Sequence, residues 1–483
     1  MPLYLAQVLL LKCLKVEVTN MGCFPSSKPG AKKSVPSTLA QESNLGSRYV
    51  RLGVLWQGTY SSIFSVQHRT SGLLYSAQTL RKEPVAAAAP ISPDIRNREF
   101  ALVSSLSHPN LVRMMEWLDS KREYIFVMEA LEGETLAAKV SRAVLNEAEV
   151  RDLLRQVFSA VAYCHHKRVL HRDLSLESIW VSRNTAKIAL FGTLSFFDAA
   201  KCASGRGGSA YYVSPELMDS IYDERCDLWS CGVILHILLA GFPPFEGASD
   251  LETALKIKED LIDFHRPPYA HLSEPSKDLL HRLLIKDPQY RITAAEALAH
   301  SWLQVEAPRP LLDQDRARLA SLLAGFSARS RLKDSLCSFI VTHVLGSQDL
   351  EAARALFVRL DRNGDGRLSR EELHTALELE FGQFHDVIAQ LDTDHSGFID
   401  YNEFLKAAVE KSKLYAANTL KTAFSLLDKD SSGAISSEEL RDMLLSTGVE
   451  QLQAGWAGLL AQVDANGDQQ LDLKEFLTLL QAL

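Results

Sequence analysis

No apolar stretch in the chain approaches the roughly 18 residues a membrane-spanning helix needs. The nearest is YLAQVLLL, residues 4–11. No basic side chain precedes it, which argues against a secretory leader. No two of the seven cysteines stand at C-x-x-C spacing, so neither a disulfide framework nor a zinc site is expected, and the thiols read as reduced ones in the cytoplasm. An excess of positive charge is missing too. The formal net charge is −8, which excludes a general nucleic-acid binder and directs attention to local acidic sites. What is present is length and apolar content. At 483 residues and 46% hydrophobic, the chain is long enough for about three packed domains.

Residues 1–47 are expected to be a disordered N-terminal segment, of which 28–46, rich in Ser, Lys, Pro and Gly, cannot bury enough apolar surface to order themselves. Within them MGCFPSSKPG, residues 21–30, fits the pattern M-G-x-x-x-[ST] for N-myristoylation. Gly22 is the acceptor and Cys23 a neighbouring palmitoylation site, provided that Gly22 becomes the amino terminus. Two acyl chains would hold the protein to a membrane surface, whereas one binds marginally. The competing reading is a chance Met-Gly in a polar tail.

At the other end, DRNGDGRLSREE begins at residue 361 and fits the twelve-residue EF-hand loop at every ligand position. Asp361, Asn363, Asp365, Ser369 and Glu372 offer side-chain oxygens or a water contact, and Arg367 its carbonyl. Ca²⁺ is a hard ion that takes six to eight oxygens in a flexible cage, and a terminal glutamate can supply two of them. The pattern recurs in loop 392–403 with Asp392, Asp394, Ser396, Phe398, Asp400 and Glu403. Loop 428–439 has Asp428, Asp430, Ser432, Ala434, Ser436 and Glu439. Loop 464–475 has Asp464, Asn466, Asp468, Gln470, Asp472 and Glu475. Successive loops begin 31, 36 and 36 residues apart, a regularity that surface turns between helices do not explain. Up to four Ca²⁺ ions are therefore expected. Loop 464–475 carries Gln469 where the sharp turn calls for glycine, at a cost of roughly 1–3 kcal/mol, so it should bind more weakly. Leu368, Ile399, Ile435 and Leu471 occupy the eighth loop position, where apolar side chains can pair the hands two by two.

Between residues 48 and 303 stand HPNLV (108–112), HRDL (171–174), SPE (214–216), DLWSCGV (227–233), GFPPF (241–245) and DPQYRITAAEALAHSWL (287–303). In this order and spacing they resemble a protein kinase, in both lobes. Followed by a junction and four EF-hands, the whole resembles a calcium-dependent protein kinase of the plant and apicomplexan-parasite type, a family in which N-terminal acylation is common. The resemblance implies an α+β multidomain chain, with a bilobal kinase fold at 48–303, an autoregulatory junction at 304–346 and an all-α calmodulin-like domain at 347–483. It further implies that Glu216 pairs with Arg291, that Asp227 braces the catalytic loop and that Trp229 packs beneath it. Such residues hold a fold together and say nothing of turnover.

The catalytic positions read differently, because phosphoryl transfer depends on placed cations that neutralise the moving phosphoryl group. By the resemblance Asp173 keeps the place of the base. Gln78, in YSAQTLRK at 75–82, stands where the phosphate-binding lysine belongs, and Glu99 is the helix glutamate left without that partner. Lys82 lies four residues on, about 13 Å along an extended strand, a poor substitute. Ser175 and Ser178 take the places of the loop lysine and the metal-binding asparagine, and Leu190 that of the metal-binding aspartate before Phe191 and Gly192. TYSSIFSV at 59–66, set against G-x-G-x-x-G-x-V, has Thr59, Ser61 and Phe64 for glycines, with Gly58 one residue out of register. Mg²⁺ and ATP lack most of their expected contacts. The expectation is a pseudokinase serving as a Ca²⁺-switched scaffold or regulator of unidentified protein partners. The alternatives are a Ca²⁺-activated serine/threonine kinase and a Ca²⁺ buffer.

The junction, residues 313–345, repeats Leu319, Leu322, Leu323 and Phe326, then Leu332, Leu336, Phe339 and Ile340, at helical spacing. Arg316, Arg318, Arg329, Arg331 and Lys333 interrupt them. A basic amphipathic helix suits the apolar groove that an EF-hand lobe opens on binding Ca²⁺. By the resemblance it leaves the kinase cleft for the EF-hand domain as Ca²⁺ rises. The bland alternative is a fixed helical connector.

Overall fold

The computed structural model describes residues 45–58, 61–82, 100–120, 122–189, 209–219, 223–266, 269–304, 313–324, 331–377, 388, 390–393, 395–430, 432–446, 468 and 470–481. The expected positions Gly22, Cys23, Glu99, Leu190, Asp394, Asp464, Asn466 and Gln469 lie outside them.

Five strands form the first layer: β1 (Tyr49–Gln57), β2 (Ser61–His68), β3 (Leu74–Arg81), β4 (Met114–Asp119) and β5 (Glu123–Glu129). All pair antiparallel, in the order β1-β2-β3-β5-β4. The central strands β3 and β5 are buried along most of their length, and their sequences LYSAQTLR and EYIFVME are rich in the large and β-branched residues that pack on a pleated surface. A smaller sheet, β6 (Glu134–Thr135), β7 (Ile179–Ser182) and β8 (Thr185–Ile188), lies on the helical lobe that follows.

That lobe contains α1 (Leu136–Arg142), α2 (Glu147–His166), α3 (Arg225–Ala240), α4 (Asp250–Glu259) and α5 (Glu274–Leu283). α2 starts where Asn146 accepts from the Glu149 amide and the Glu149 carboxylate accepts in return from the Asn146 amide, a reciprocal cap that satisfies orphan donors. α3 is apolar all round, as a helix in the centre of a lobe must be, and buries Trp229 completely. One apolar core runs from Leu80 in the sheet to Trp302 and Leu303.

A second core runs from Leu319 to Leu480. It joins α6 (Asp313–Ala324) and α7 (Arg331–Phe339) to the hand helices α8 (Ser347–Leu360), α9 (Arg370–Leu377), α10 (Tyr401–Ala408), α11 (Ala417–Leu427), α12 (Ser437–Ser446) and α13 (Leu473–Gln481). Leu319, Leu323, Leu336, Phe339 and Ile340 of the junction are buried inside this core. Polar contacts fix the seat: Lys406 donates to Asp334 at 2.9 Å, Arg359 to Asp315 at 2.7 Å and Asn402 to Ser338 at 2.8 Å.

The kinase-like and EF-hand sides touch through specific hydrogen bonds. The Arg113 guanidinium, from the kinase-like side, donates to the Val341 carbonyl at 2.9 Å, and the Tyr75 hydroxyl to the His343 carbonyl at 3.1 Å. The Arg367 guanidinium, in the first acidic loop, donates to Nε2 of His166 at 2.7 Å. In that loop a Cβ added to Gly366 would lie 2.3 Å from the His108 ring, so the close seat of loop on lobe needs glycine there.

Candidate functional site

The first acidic loop closes around its carboxylates. Asp361, at the end of α8, accepts from the amides of Asp365 at 3.1 Å and Gly366 at 2.9 Å. Glu372 accepts from the Arg362 amide at 2.9 Å and, with its other oxygen, from the Ser369 amide at 2.9 Å and hydroxyl at 2.7 Å. Gly366 makes the turn with φ 79°. Burial, then the neighbouring Asp365, pushes the Asp361 carboxyl up to about 8. A divalent cation relieves that crowding, and every donor offered is a hard oxygen, so the residues fit Ca²⁺.

The second loop repeats the arrangement. Asp392 accepts from the amides of Ser396 at 2.8 Å and Gly397 at 3.0 Å, and Glu403 from the amides of Thr393 at 2.7 Å and Asp400 at 3.1 Å. In the third, Asp428 accepts from Ser432 and Gly433 and Glu439 from Lys429 and Ser436. Oxygens of Asp428, Asp430 and Glu439 gather within 4.8 Å of one another. In the described part of the fourth, Glu475 and Asp472 exchange amide bonds at 3.0 and 2.8 Å, and Asp468 accepts from the Gln470 amide at 2.9 Å. Leu368 and Ile399 form an antiparallel bridge, and Ile435 pairs with Leu471, so the hands couple in two pairs.

In the kinase-like cleft the supports are in place. The buried Asp227 carboxylate accepts from the amides of His171 at 2.9 Å and Arg172 at 2.7 Å and bonds the His165 ring at 2.9 Å. His165 and the other donors hold that carboxyl below its usual range against the opposing cost of burial. Arg291 grips Glu216 through both terminal nitrogens, the second at 2.9 Å, and its guanidinium lies 5.2 Å from the Trp229 ring.

The substituted catalytic positions among the described residues hold neutral side chains with local hydrogen bonds. Gln78, in the middle of β3, donates its amide to the Ser61 hydroxyl at 3.2 Å. The Ser178 hydroxyl donates to the Ser175 carbonyl at 3.0 Å and accepts from the Ser175 amide at 3.0 Å. Lys82 is committed to Asp119 and lies over the Tyr124 ring, 4.7 Å from its centroid. Asp173 stands in the same loop, its amide bonded to the His171 ring at 3.2 Å. These residues do not fit Mg²⁺ and ATP.

One expectation needs correction. The β1–β2 turn lies between Gln57 and Ser61, so the pattern set on 59–66 runs from the turn into β2: Trp56 faces Ile63 and Gln57 faces Ser62. Phe64 sits inside β2 between Val54 and Ala77, so it does not crowd the phosphate position. Trp56 fills the tip instead. A Cβ on Gly58 would lie 2.3 Å from its indole, and the Gly58 amide is already bonded to the Ser61 carbonyl at 2.9 Å. Phe64 is thus the residue that the sequence pattern misassigned, and Trp56 the one it missed. The signal that would have found the register is LWQG, where Gly58 is the one glycine of the tip.

The family model for the protein kinase domain matches residues 49–303, and that for an EF-hand domain pair matches residues 350–409 and 417–481. The chain is 30% identical over 458 residues to calcium-dependent protein kinase 10 of Arabidopsis thaliana, covering 92% of this chain and 83% of the relative. It is 29% identical over 476 residues to calcium-dependent protein kinase 4 of Plasmodium berghei (strain Anka), covering 92% and 89%. No helix among the described residues is long and apolar enough to cross a membrane. With a kinase-like cleft, a junction seated in an EF-hand core and this coverage of whole relatives, the chain belongs to the calcium-dependent protein kinase family.

Proposed function

We propose that this member binds Ca²⁺ through its EF-hands and uses its kinase fold as a Ca²⁺-switched protein-binding surface, with phosphoryl transfer lost. The observation that carries the reading is the local bonding of two substituted residues: the Gln78 amide donates to the Ser61 hydroxyl, and the Ser178 hydroxyl bonds the backbone of Ser175. Neither side chain carries a charge that could hold a phosphate or metal. If one placed electrostatic contact is worth about 3–4 kcal/mol of barrier, loss of several removes most of the acceleration, although such losses do not add. Leu190 has no oxygen for a second metal contact.

The ligands of Ca²⁺ in this reading are the four loop sets given by the sequence, with the fourth the weakest. The junction is the intramolecular partner of the EF-hand core, which supports a switch in which α6 and α7 are held by the hands. Acylation at Gly22 and Cys23 would add a membrane surface to the partners.

An active Ca²⁺-dependent kinase is the second reading, favoured by Asp173 in a loop still braced by Asp227. Transfer of labelled phosphate from ATP, with and without Ca²⁺ and with Asp173→Ala as control, separates the two. The scaffold reading expects no transfer above the control in protein that binds Ca²⁺. Ca²⁺-dependent transfer abolished by Asp173→Ala would sink it.

A further inference from the structure

Two of the ten asparagines are followed by glycine, Asn363 and Asn466, and each stands at the third position of an acidic loop. Asn466 lies outside the described residues. In loop 361–372 the pair Asn363-Gly364 has a chemistry that cation binding does not use. A glycine amide has no Cβ to shield it. Once hydroxide removes its proton, the Gly364 nitrogen can attack Cγ of Asn363 and close a five-membered succinimide. The bond from Cγ to Nδ2 breaks, and that nitrogen takes up a proton and leaves as ammonia. Water then opens the ring at either carbonyl. The product is an aspartate side chain at 363 or an isoaspartate, whose main chain runs through the former side chain and is longer by one methylene. The net change consumes one water and releases one ammonia, with nothing oxidised or reduced.

The closed loop holds the reacting groups apart. Asn363 is exposed, yet its carboxamide is turned to Asp365, accepting from the Asp365 amide at 2.9 Å and donating to the Asp365 carboxylate at 3.1 Å. The Gly364 amide, the nucleophile, is bonded to the Asp361 carboxylate. Gly364 is buried with φ 72°, and a Cβ there would lie 3.4 Å from Leu298 of the kinase-like lobe. Attack therefore requires all three bonds to release and the backbone at Gly364 to turn. With Ca²⁺ bound, the third-position oxygen is a ligand as well, and such opening is rarer.

We propose that Asn363 is a site of non-enzymatic deamidation which bound Ca²⁺ and the docked lobe suppress, so that the loop accumulates the change during the time it is open. The proposal rests on the reading of loop 361–372 as a Ca²⁺ site and adds a modification to it. The aspartate product brings one more charge to the cage and tightens it, since ligand charge count tunes EF-hand affinity. The isoaspartate product displaces Gly364 and Gly366 from their close approaches to Leu298 and His108 and loosens the seat of the loop on the lobe.

The test incubates the full chain at mildly alkaline pH with Ca²⁺ or with a chelator. The peptide that carries Asn363 is followed by mass, with enzymatic methylation of isoaspartate as a second readout, and peptide mapping separates it from Asn466. Reaction at 363 is expected in chelator and should be about tenfold slower with Ca²⁺, because the open population sets the rate. His166→Ala, which removes the Arg367 bond between loop and lobe, should speed it in chelator. Asn363→Ser keeps an oxygen at the third position and should leave that peptide unchanged in mass. Asn363→Asp should bind Ca²⁺ more tightly at this loop than the unaltered chain. An Asn363 that is still an amide when Asn418, exposed in α11 and followed by Thr419, has reacted overturns the proposal. So do equal rates with Ca²⁺ and with chelator in protein whose loop is shown by titration to bind Ca²⁺. A loop that binds no Ca²⁺ overturns the earlier reading and this one with it. A rate unchanged in His166→Ala overturns the part assigned to the lobe.

Discussion

The hydroxyl of Ser178 and the backbone of Ser175 exchange two hydrogen bonds, each 3.0 Å long, and close the turn that follows Asp173. The turn is therefore satisfied without lysine, asparagine or metal. The same holds for Gln78, whose amide is spent on Ser61. Replacing one of these residues alone should break a local bond and restore nothing. The combination Gln78→Lys, Ser178→Asn and Leu190→Asp should give a thermal midpoint that rises with Mg²⁺ and ATP. The unaltered protein and each single variant should show no such rise. A rise already present in the unaltered protein would contradict the inference from the neutral cleft.

Loop affinity should follow ligand chemistry. Glu372 would offer both oxygens to a bound Ca²⁺, and its carboxylate accepts from the Arg362 and Ser369 amides. Glu372→Gln removes a full charge and should weaken that site at least tenfold, about 1.4 kcal/mol. Gln469→Gly should act in the opposite direction, because the sixth loop position calls for a turn that glycine makes at a cost lower by roughly 1–3 kcal/mol. Equilibrium Ca²⁺ titration of the two variants should show one site lost and one site tightened. An unchanged fourth site would mean that its turn is not strained.

How much of this was legible follows from sequence distance. An EF-hand loop encloses its ligands within twelve consecutive residues, so Asp361 through Glu372 announce their chemistry by spacing alone. The pairing of Leu368 with Ile399 was legible for the same reason, since the eighth position recurs. The β1–β2 tip was misplaced because the glycine pattern is degraded and the strand register shifts at Arg51/Gly53 and Val54/Trp56. Irregular pairing of that kind leaves no trace in composition. The seat of Gly366 against His108 and the Arg113 bond to Val341 join residues far apart in the chain. No periodicity encodes such contacts.

Acid should destabilise the fold before it titrates most carboxylates. Burial pushes His108 and His343 down to about 3 and His236 to about 4, from an ordinary value of 6.5. Each is neutral when folded, so the unfolded chain binds more protons below pH 6.5. Stability is full above that pH and declines as pH falls toward the folded values, by up to about 1.4 kcal/mol per pH unit for each histidine. The thermal midpoint should drop steadily between pH 6.5 and 4.5. His108→Asn should flatten part of that slope, and a midpoint constant over the interval would show that these rings are not buried as described.

The pair of Arg291 and Glu216 provides a test of the lobe that is independent of nucleotide and Ca²⁺. Both side chains are buried, and Arg291 also donates to the carbonyls of Arg225, Ile285 and Lys286 at 2.8, 2.9 and 3.0 Å. Its guanidinium thus joins the helix after SPE to the segment between α5 and the end of the lobe. Arg291→Met keeps much of the volume but strands the Glu216 carboxylate, an uncompensated buried charge costing about 3–5 kcal/mol. Glu216→Gln in the same chain removes the stranded charge and should recover part of the loss. Urea unfolding of the single and double variants, followed by far-ultraviolet dichroism, reads the difference. Recovery in the double variant would assign the cost to the unpaired carboxylate. If the double variant is as unstable as Arg291→Met, the cost belongs to the three carbonyls that lose their donor.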